Sequence, residues 1–94
     1  LQFLEVLLPR GAFVMVKVTL IHANWCNVCP AARRFWKDLK SEYDFEYEEV
    51  DVATPQGQVL KDKFGIVGVP TTIIDGKIAF TGLPKKADAI ARII

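Results

Sequence analysis

From Phe13 to His22 the chain reads Phe-Val-Met-Val-Lys-Val-Thr-Leu-Ile-His, with Val16, Val18 and Leu20 alternating against Lys17 and Thr19. A period of two and a high β-branched content predict a strand, placed centrally in a sheet. The period then changes. Ala31, Ala32, Phe35, Trp36 and Leu39 recur at helical spacing, with Arg33, Arg34, Lys37, Asp38 and Lys40 between them. That is the stripe of a helix with one buried face. Pro30 suits such a helix only in the first turn, where a missing N–H costs least, so the helix is expected to begin near Cys26. A second strand is predicted from about Phe45 to Val52, its alternation interrupted by Glu48-Glu49. Thr54-Pro55 reads as a helix start, with Val59, Leu60 and Phe64 as a short apolar face and Gly65 as the stop. Pro70 to Ile74 and Lys77 to Thr81 flank Asp75-Gly76, the strongest short signal for a β-hairpin. Pro84 then opens a C-terminal helix whose Ala87, Ile90, Ala91 and Ile94 share one side. The order β-α-β-α-β-β-α predicts an α/β fold, a mixed sheet of four strands flanked by three helices.

The start of the chain does not fit this pattern. Leu1 to Leu8 is apolar but lacks the basic start of a secretory signal, and Pro9-Arg10-Gly11 breaks it. Met15 is the only methionine. Residues 1–14 are therefore expected to be an N-terminal extension of expression origin, and residues 15–94 a single domain. The alternative is a native extension that adds an edge strand or a short helix. A hydrophobic content of 51% with 24% charged residues excludes a mainly disordered chain. The longest strictly apolar run, Ala12 to Val16, is far short of the roughly 20 residues of a spanning helix, so no membrane partner is expected. Twelve basic residues against eleven acidic ones leave +1, which gives nucleic-acid binding no support.

The chemistry lies in Cys26 and Cys29, the only cysteines. At the start of a helix, the first thiol faces unpaired backbone N–H groups and the positive end of the helix dipole, and both favour its thiolate. The second thiol sits one turn on, within reach of the first. Attack by Cys26 on a partner disulfide gives a mixed disulfide, and attack by Cys29 on Cys26 releases the reduced partner. Other readings of the pair remain. A zinc site wants four ligands, and His22 is the only further nitrogen or sulfur candidate. A metal or cluster held between two subunits is a second alternative, as in a metal carrier or an electron-relay module.

Trp25-Cys26-Asn27-Val28-Cys29 after a β-rich strand, and Phe64-Gly65-Ile66-Val67-Gly68-Val69-Pro70-Thr71-Thr72 some forty residues later, decide among these. Together with Asp75-Gly76-Lys77 and Gly82 they make residues 15–94 resemble the thioredoxin superfamily. That resemblance implies the thioredoxin fold, with Cys26 as nucleophile and Cys29 as resolving thiol. It also implies a cis Pro70 facing the pair, with Val69 offering its backbone to a bound substrate segment. Trp25 and Leu83 would border a shallow apolar groove floored by Gly82. The implied activity is an enzymatic one: a thiol–disulfide oxidoreductase that reduces protein disulfides, needs no bound cofactor or metal, and draws electrons from a separate reductase. A cytoplasmic monomer is expected.

The chain also departs from the family pattern. It is shorter than a full thioredoxin, and from Met15 on its element order is that of a glutaredoxin, so it resembles the small archaeal proteins of this mixed kind. A glutathione-dependent glutaredoxin is the alternative within the fold. Against it, Asn27-Val28 replaces the usual Pro-Tyr, and Lys85-Lys86 follow Gly82-Leu83 where that family carries acidic residues for the glutathione amine. Leu20 stands where thioredoxins bury an aspartate that helps deprotonate the resolving thiol. Resolution is therefore expected to be slower or more pH-dependent here.

Overall fold

The first alternating run forms strand β1, Lys17–His22, and all four residues from Val18 to Ile21 are buried. In the computed structural model, which describes residues 15–94, β1 pairs in parallel with β2 (Glu46–Asp51). On its other side it pairs antiparallel with β3 (Thr71–Ile74), which pairs antiparallel with β4 (Lys77–Thr81). The sheet order is therefore β2-β1-β3-β4. Helices α1 (Cys29–Lys40), α2 (Pro55–Phe64) and α3 (Lys86–Ile93) complete the expected β-α-β-α-β-β-α order. The reading of residues 1–14 as an extension falls outside the described residues.

Alternation along β1 sends its side chains into two cores. Val18 and Leu20 pack with Ala32, Trp36 and Leu39 of α1, with Ala89 and Ile93 of α3, and with Phe45 and Ile74. Ile21 packs with Val50, Ile66 and Ile73, against Leu60 and Phe64 of α2. Helices α1 and α3 thus cover one face of the sheet and α2 the other. A fully buried aliphatic side chain such as Leu20 contributes about 1.5–3 kcal/mol, so the central strand is strongly held. Trp36, expected as core, is fully buried with its ring edge-on to Phe35 and Phe45. Its Nε1–H donates to Thr72 Oγ1 at 3.2 Å, so its polar edge is not stranded.

The local signals hold in detail. Thr54 caps α2, its Oγ1 accepting from the Gly57 N–H at 3.0 Å, and Gly65 ends the helix in the left-handed region. Asp75 and Gly76 both have positive φ, 50° and 81°, the backbone of a two-residue type I′ turn. Three expectations are corrected. Helix α1 begins at Cys29, not near Cys26. Asn24 and Trp25 form a turn closed by the Cys26 N–H on the Ala23 carbonyl, and the backbone becomes helical only after Val28, with Pro30 still in the first turn. Helix α3 begins at Lys86, two residues past Pro84, and buries Ala89 and Ile93 in place of Ala87, Ala91 and Ile94. Its apolar residues are spread round the helix, and alanine methyl groups are too small to decide which side is inward. In α2, Val59 is exposed, while Gly57 is buried against the end of β2.

The interruption at Glu48-Glu49 has a cause on each face of the sheet. Glu48 accepts from Thr19 Oγ1 at 2.9 Å and meets Lys17. Glu49, on the α1 face, accepts from Tyr47 Oη at 2.9 Å and from Arg33 Nε at 3.1 Å, with Lys37 Nζ 3.9 Å away. Burial raises the Glu49 carboxyl, but the hydrogen bonds from Tyr47 and Arg33 and the charges of Arg33 and Lys37 outweigh it and hold the group below its usual range. Burial, together with the hydrogen bond to Glu49 and its charge, pushes the Tyr47 phenol well above its ordinary value. A carboxyl depressed in the fold stabilises it above the unfolded value of about 4.3, and that contribution disappears as pH falls through the folded value. Glu49→Gln is accordingly expected to cost about 1 kcal/mol at pH 7 and progressively less as pH is lowered below about 4. Urea melts of both proteins at the two pH values check this, and a penalty that did not shrink in acid would assign the contact to packing.

Candidate active site

The end of β1 and the start of β3 are neighbours, with Ile21 opposite Thr71, so the loops that continue from them meet. The loop after β1 carries Trp25 and Cys26 into α1, whose first residue is Cys29. The loop before β3 carries Val69 and Pro70, joined by a cis peptide bond. Cys26 and Cys29 are bonded to each other, with Cα atoms 5.4 Å apart, inside the ordinary range for a disulfide.

The two sulfurs are not equivalent. Cys26 is partly exposed, whereas Cys29 is 2% exposed. Cys26 Sγ accepts from the Cys29 N–H at 3.1 Å. That donor is one of the N–H groups a helix start leaves unpaired, and it favours negative charge on the sulfur it faces. Cys26 Sγ also lies 3.7 Å from the Val69 carbonyl oxygen. The expectation that Cys26 sits on the helix is thus corrected, but the N–H that reaches it belongs to the helix.

Val69 links the remaining expected residues. With Trp25, Ile66, Val67 and Lys61 it lines a hollow of about 300 Å³. With Pro70, Ile78, Thr81 and Gly82 it lines a second of about 280 Å³. Gly82 is fixed there by donating its N–H to the Pro70 carbonyl at 2.8 Å. Leu83 is exposed and borders neither hollow. Val67 is 99% exposed and was not singled out from the sequence. Its signal was available: Gly65 and Gly68 bracket two apolar residues, and when Ile66 turns into the core its neighbour turns out. Trp25, at 73% exposure, completes an apolar rim that the fold itself does not require. His22 lies opposite Asp51 in the β1–β2 ladder. Among the described residues no group of three or more His, Cys, Asp or Glu side chains gathers as a metal site.

A bonded, asymmetric cysteine pair at the head of a helix, with the carbonyl that precedes a cis-proline 3.7 Å from its more exposed sulfur, defines a redox protein of the thioredoxin fold. Comparison with known proteins narrows the class. Residues 14–94 match the family described as the thioredoxin domain. A thioredoxin of Methanocaldococcus jannaschii is 30% identical over 78 residues, covering 83% of this chain and 92% of that protein. The solved structure of the reduced thioredoxin pre-protein of Schistosoma mansoni is 26% identical, with a TM-score of 0.69 over 85% of this chain and 80% of that one. The Fasciola hepatica thioredoxin structure is 25% identical, also with a TM-score of 0.69, over 85% of this chain and 82% of that one. The chain belongs to the thioredoxin domain family, and it is a thiol–disulfide oxidoreductase. None of the described helices is long and apolar enough to cross a membrane.

Proposed function

We infer that the protein reduces disulfides in other proteins, with Cys26 attacking and Cys29 resolving. The observation that carries this reading is the difference between the sulfurs: Cys26 is the accessible one and holds the Cys29 N–H, while Cys29 is almost fully enclosed. In the reduced protein the Cys26 thiolate attacks one sulfur of the partner disulfide. The other partner sulfur leaves as a thiolate and takes up a proton, and a mixed disulfide remains. Cys29, losing its proton, then attacks Cys26 Sγ, and the second partner sulfur leaves. Two electrons have passed to the partner, and the Cys26–Cys29 disulfide is left for a separate reductase to reopen. Neither step calls on a bound cofactor.

An extended substrate segment along Val67, Gly68 and Val69, beside Trp25, Pro70 and Gly82, would bring its disulfide to Cys26. Leu20 is fully buried among apolar side chains, so the proton of Cys29 passes to water or to the departing thiolate. A catalyst working in this direction suits a compartment that keeps thiols reduced, such as the cytoplasm, and the reaction asks for no more than a monomer. Lys85 and Lys86, both exposed, disfavour glutathione by repelling its ammonium group. Insulin reduction by dithiothreitol is expected to accelerate when catalytic amounts of the protein are added. Turnover with glutathione and glutathione reductase is expected to stay near background. No acceleration in the insulin assay would refute the reading, and strong turnover with glutathione would replace it with the glutaredoxin alternative.

A further inference from the structure

Helix α1 gathers its cations on one side. Arg33, Arg34 and Lys37, with Pro30, line a shallow groove of about 190 Å³. Their spacing places them on a single helix face. Pro30 follows the buried Cys29 directly in the first turn of α1, and at about 1.5 Å per residue Lys37 lies roughly 10 Å further along the helix. The acidic residues of this region lie elsewhere: Asp38 and Glu42 border a different hollow with Phe35, Leu39 and Lys86. Glu49 is the carboxylate that reaches the groove, and its oxygens are already held by Arg33, Tyr47 and Lys37. Arg34 has no ionic partner among the described residues, and the Lys37 side chain is 60% exposed. The chain as a whole carries only +1, so this polarity is local.

We propose that this groove docks an acidic segment of the disulfide-bearing partner, whose Asp or Glu side chains lie along Arg34 and Lys37 while its disulfide meets Cys26. The assignment rests on the disulfide-exchange reading above and adds the kind of protein that is exchanged with. A carboxylate partner fits better than a nucleic acid, because the groove has no aromatic face on which a base can stack, and Trp25 lines a different hollow. Exposed charges of this kind act through the rate of encounter and are screened by salt.

The test uses two disulfide-closed peptides with the same loop, one flanked by a run of glutamates and the other by lysines. Each is reduced by the full-length protein in its dithiol form. At about 20 mM salt the acidic peptide is expected to react about tenfold faster, with the ratio falling toward one at about 500 mM. The double variant Arg34→Glu with Lys37→Glu is expected to reverse the preference. Should it fail to fold by circular dichroism, the single variants Arg34→Gln and Lys37→Gln are each expected to lower the ratio about twofold to threefold. Equal rates for the two peptides at low salt, or an acidic preference that survives in a folded double variant, would defeat the docking site alone. Tighter binding of a single-stranded RNA oligonucleotide than of the acidic peptide to this face would overturn it as well. If neither peptide is reduced, the exchange reading itself has failed.

Discussion

Cys29→Ser is expected to leave the protein covalently joined to its substrates, while Cys26→Ser leaves nothing attached, and each variant loses on the order of a thousandfold or more of its insulin-reducing rate. The asymmetry follows from where the sulfurs sit. Cys26 is open to a partner and holds the Cys29 N–H at 3.1 Å, so it makes the first bond. Cys29, at 2% exposure, cannot receive a protein from outside, but its Cα lies 5.4 Å from that of Cys26. Its task is confined to displacing what Cys26 has captured. Without it the first bond persists. Non-reducing gels of lysate passed over each variant, followed by release with dithiothreitol, check the outcome. Adducts on Cys26→Ser but not on Cys29→Ser would exchange the two roles, and adducts on neither would remove them.

Gly57→Ala is expected to destabilise the fold by about 3 kcal/mol, although alanine is worth about 1 kcal/mol more than glycine inside an ordinary helix. Gly57 is in the first turn of α2, buried where the helix meets the end of β2. A Cβ there would lie 2.1 Å from the Asp51 carbonyl oxygen and 2.7 Å from the Val52 Cα. Both are backbone atoms, so no side chain can swing aside. The helix would have to lift, loosening the Thr54 cap and the contacts of Leu60 and Phe64 beneath it. Chemical denaturation decides the sign: a melt equal to or above that of the parent protein would show that α2 moves freely, and that the close approach is not a constraint.

What could be read in the sequence was what short stretches decide for themselves. Thr54-Pro55 carries its own cap, and Asp75-Gly76 its own turn. The β-branched content of β1 named a central strand because burial on both faces needs uncharged, strand-favouring residues, and Val18 to Ile21 supply them with Thr19 as the single polar one. The cysteine pair was legible through its spacing, and the Pro70 segment through its likeness to a family. The rest depended on parts of the chain that meet only in the fold. Gly57 looks like an ordinary helix-weakening residue until Asp51 is placed against it. Glu48 and Glu49 look like an interruption until Thr19, Lys17, Arg33 and Tyr47 arrive to hold them. Ala87 and Ala91 were indistinguishable from Ala89 because a methyl group states no strong preference. The N-terminal edge of α1 was misplaced for a related reason: Trp25 and Cys26 are held by a turn onto Ala23, which helix periodicity does not describe.

The pairing of β1 with β3 has one more consequence. Both loops that build the sulfur site hang from the same end of two interior strands, which are bonded on either side within the described sheet. Fraying of the sheet edges or of α3 leaves those strands joined, and hydrogen exchange at the innermost amides samples the costliest opening of a domain. The sulfur site is therefore anchored on the strands expected to open last, while the loops that carry Cys26 and Val69 keep their own freedom to admit a partner.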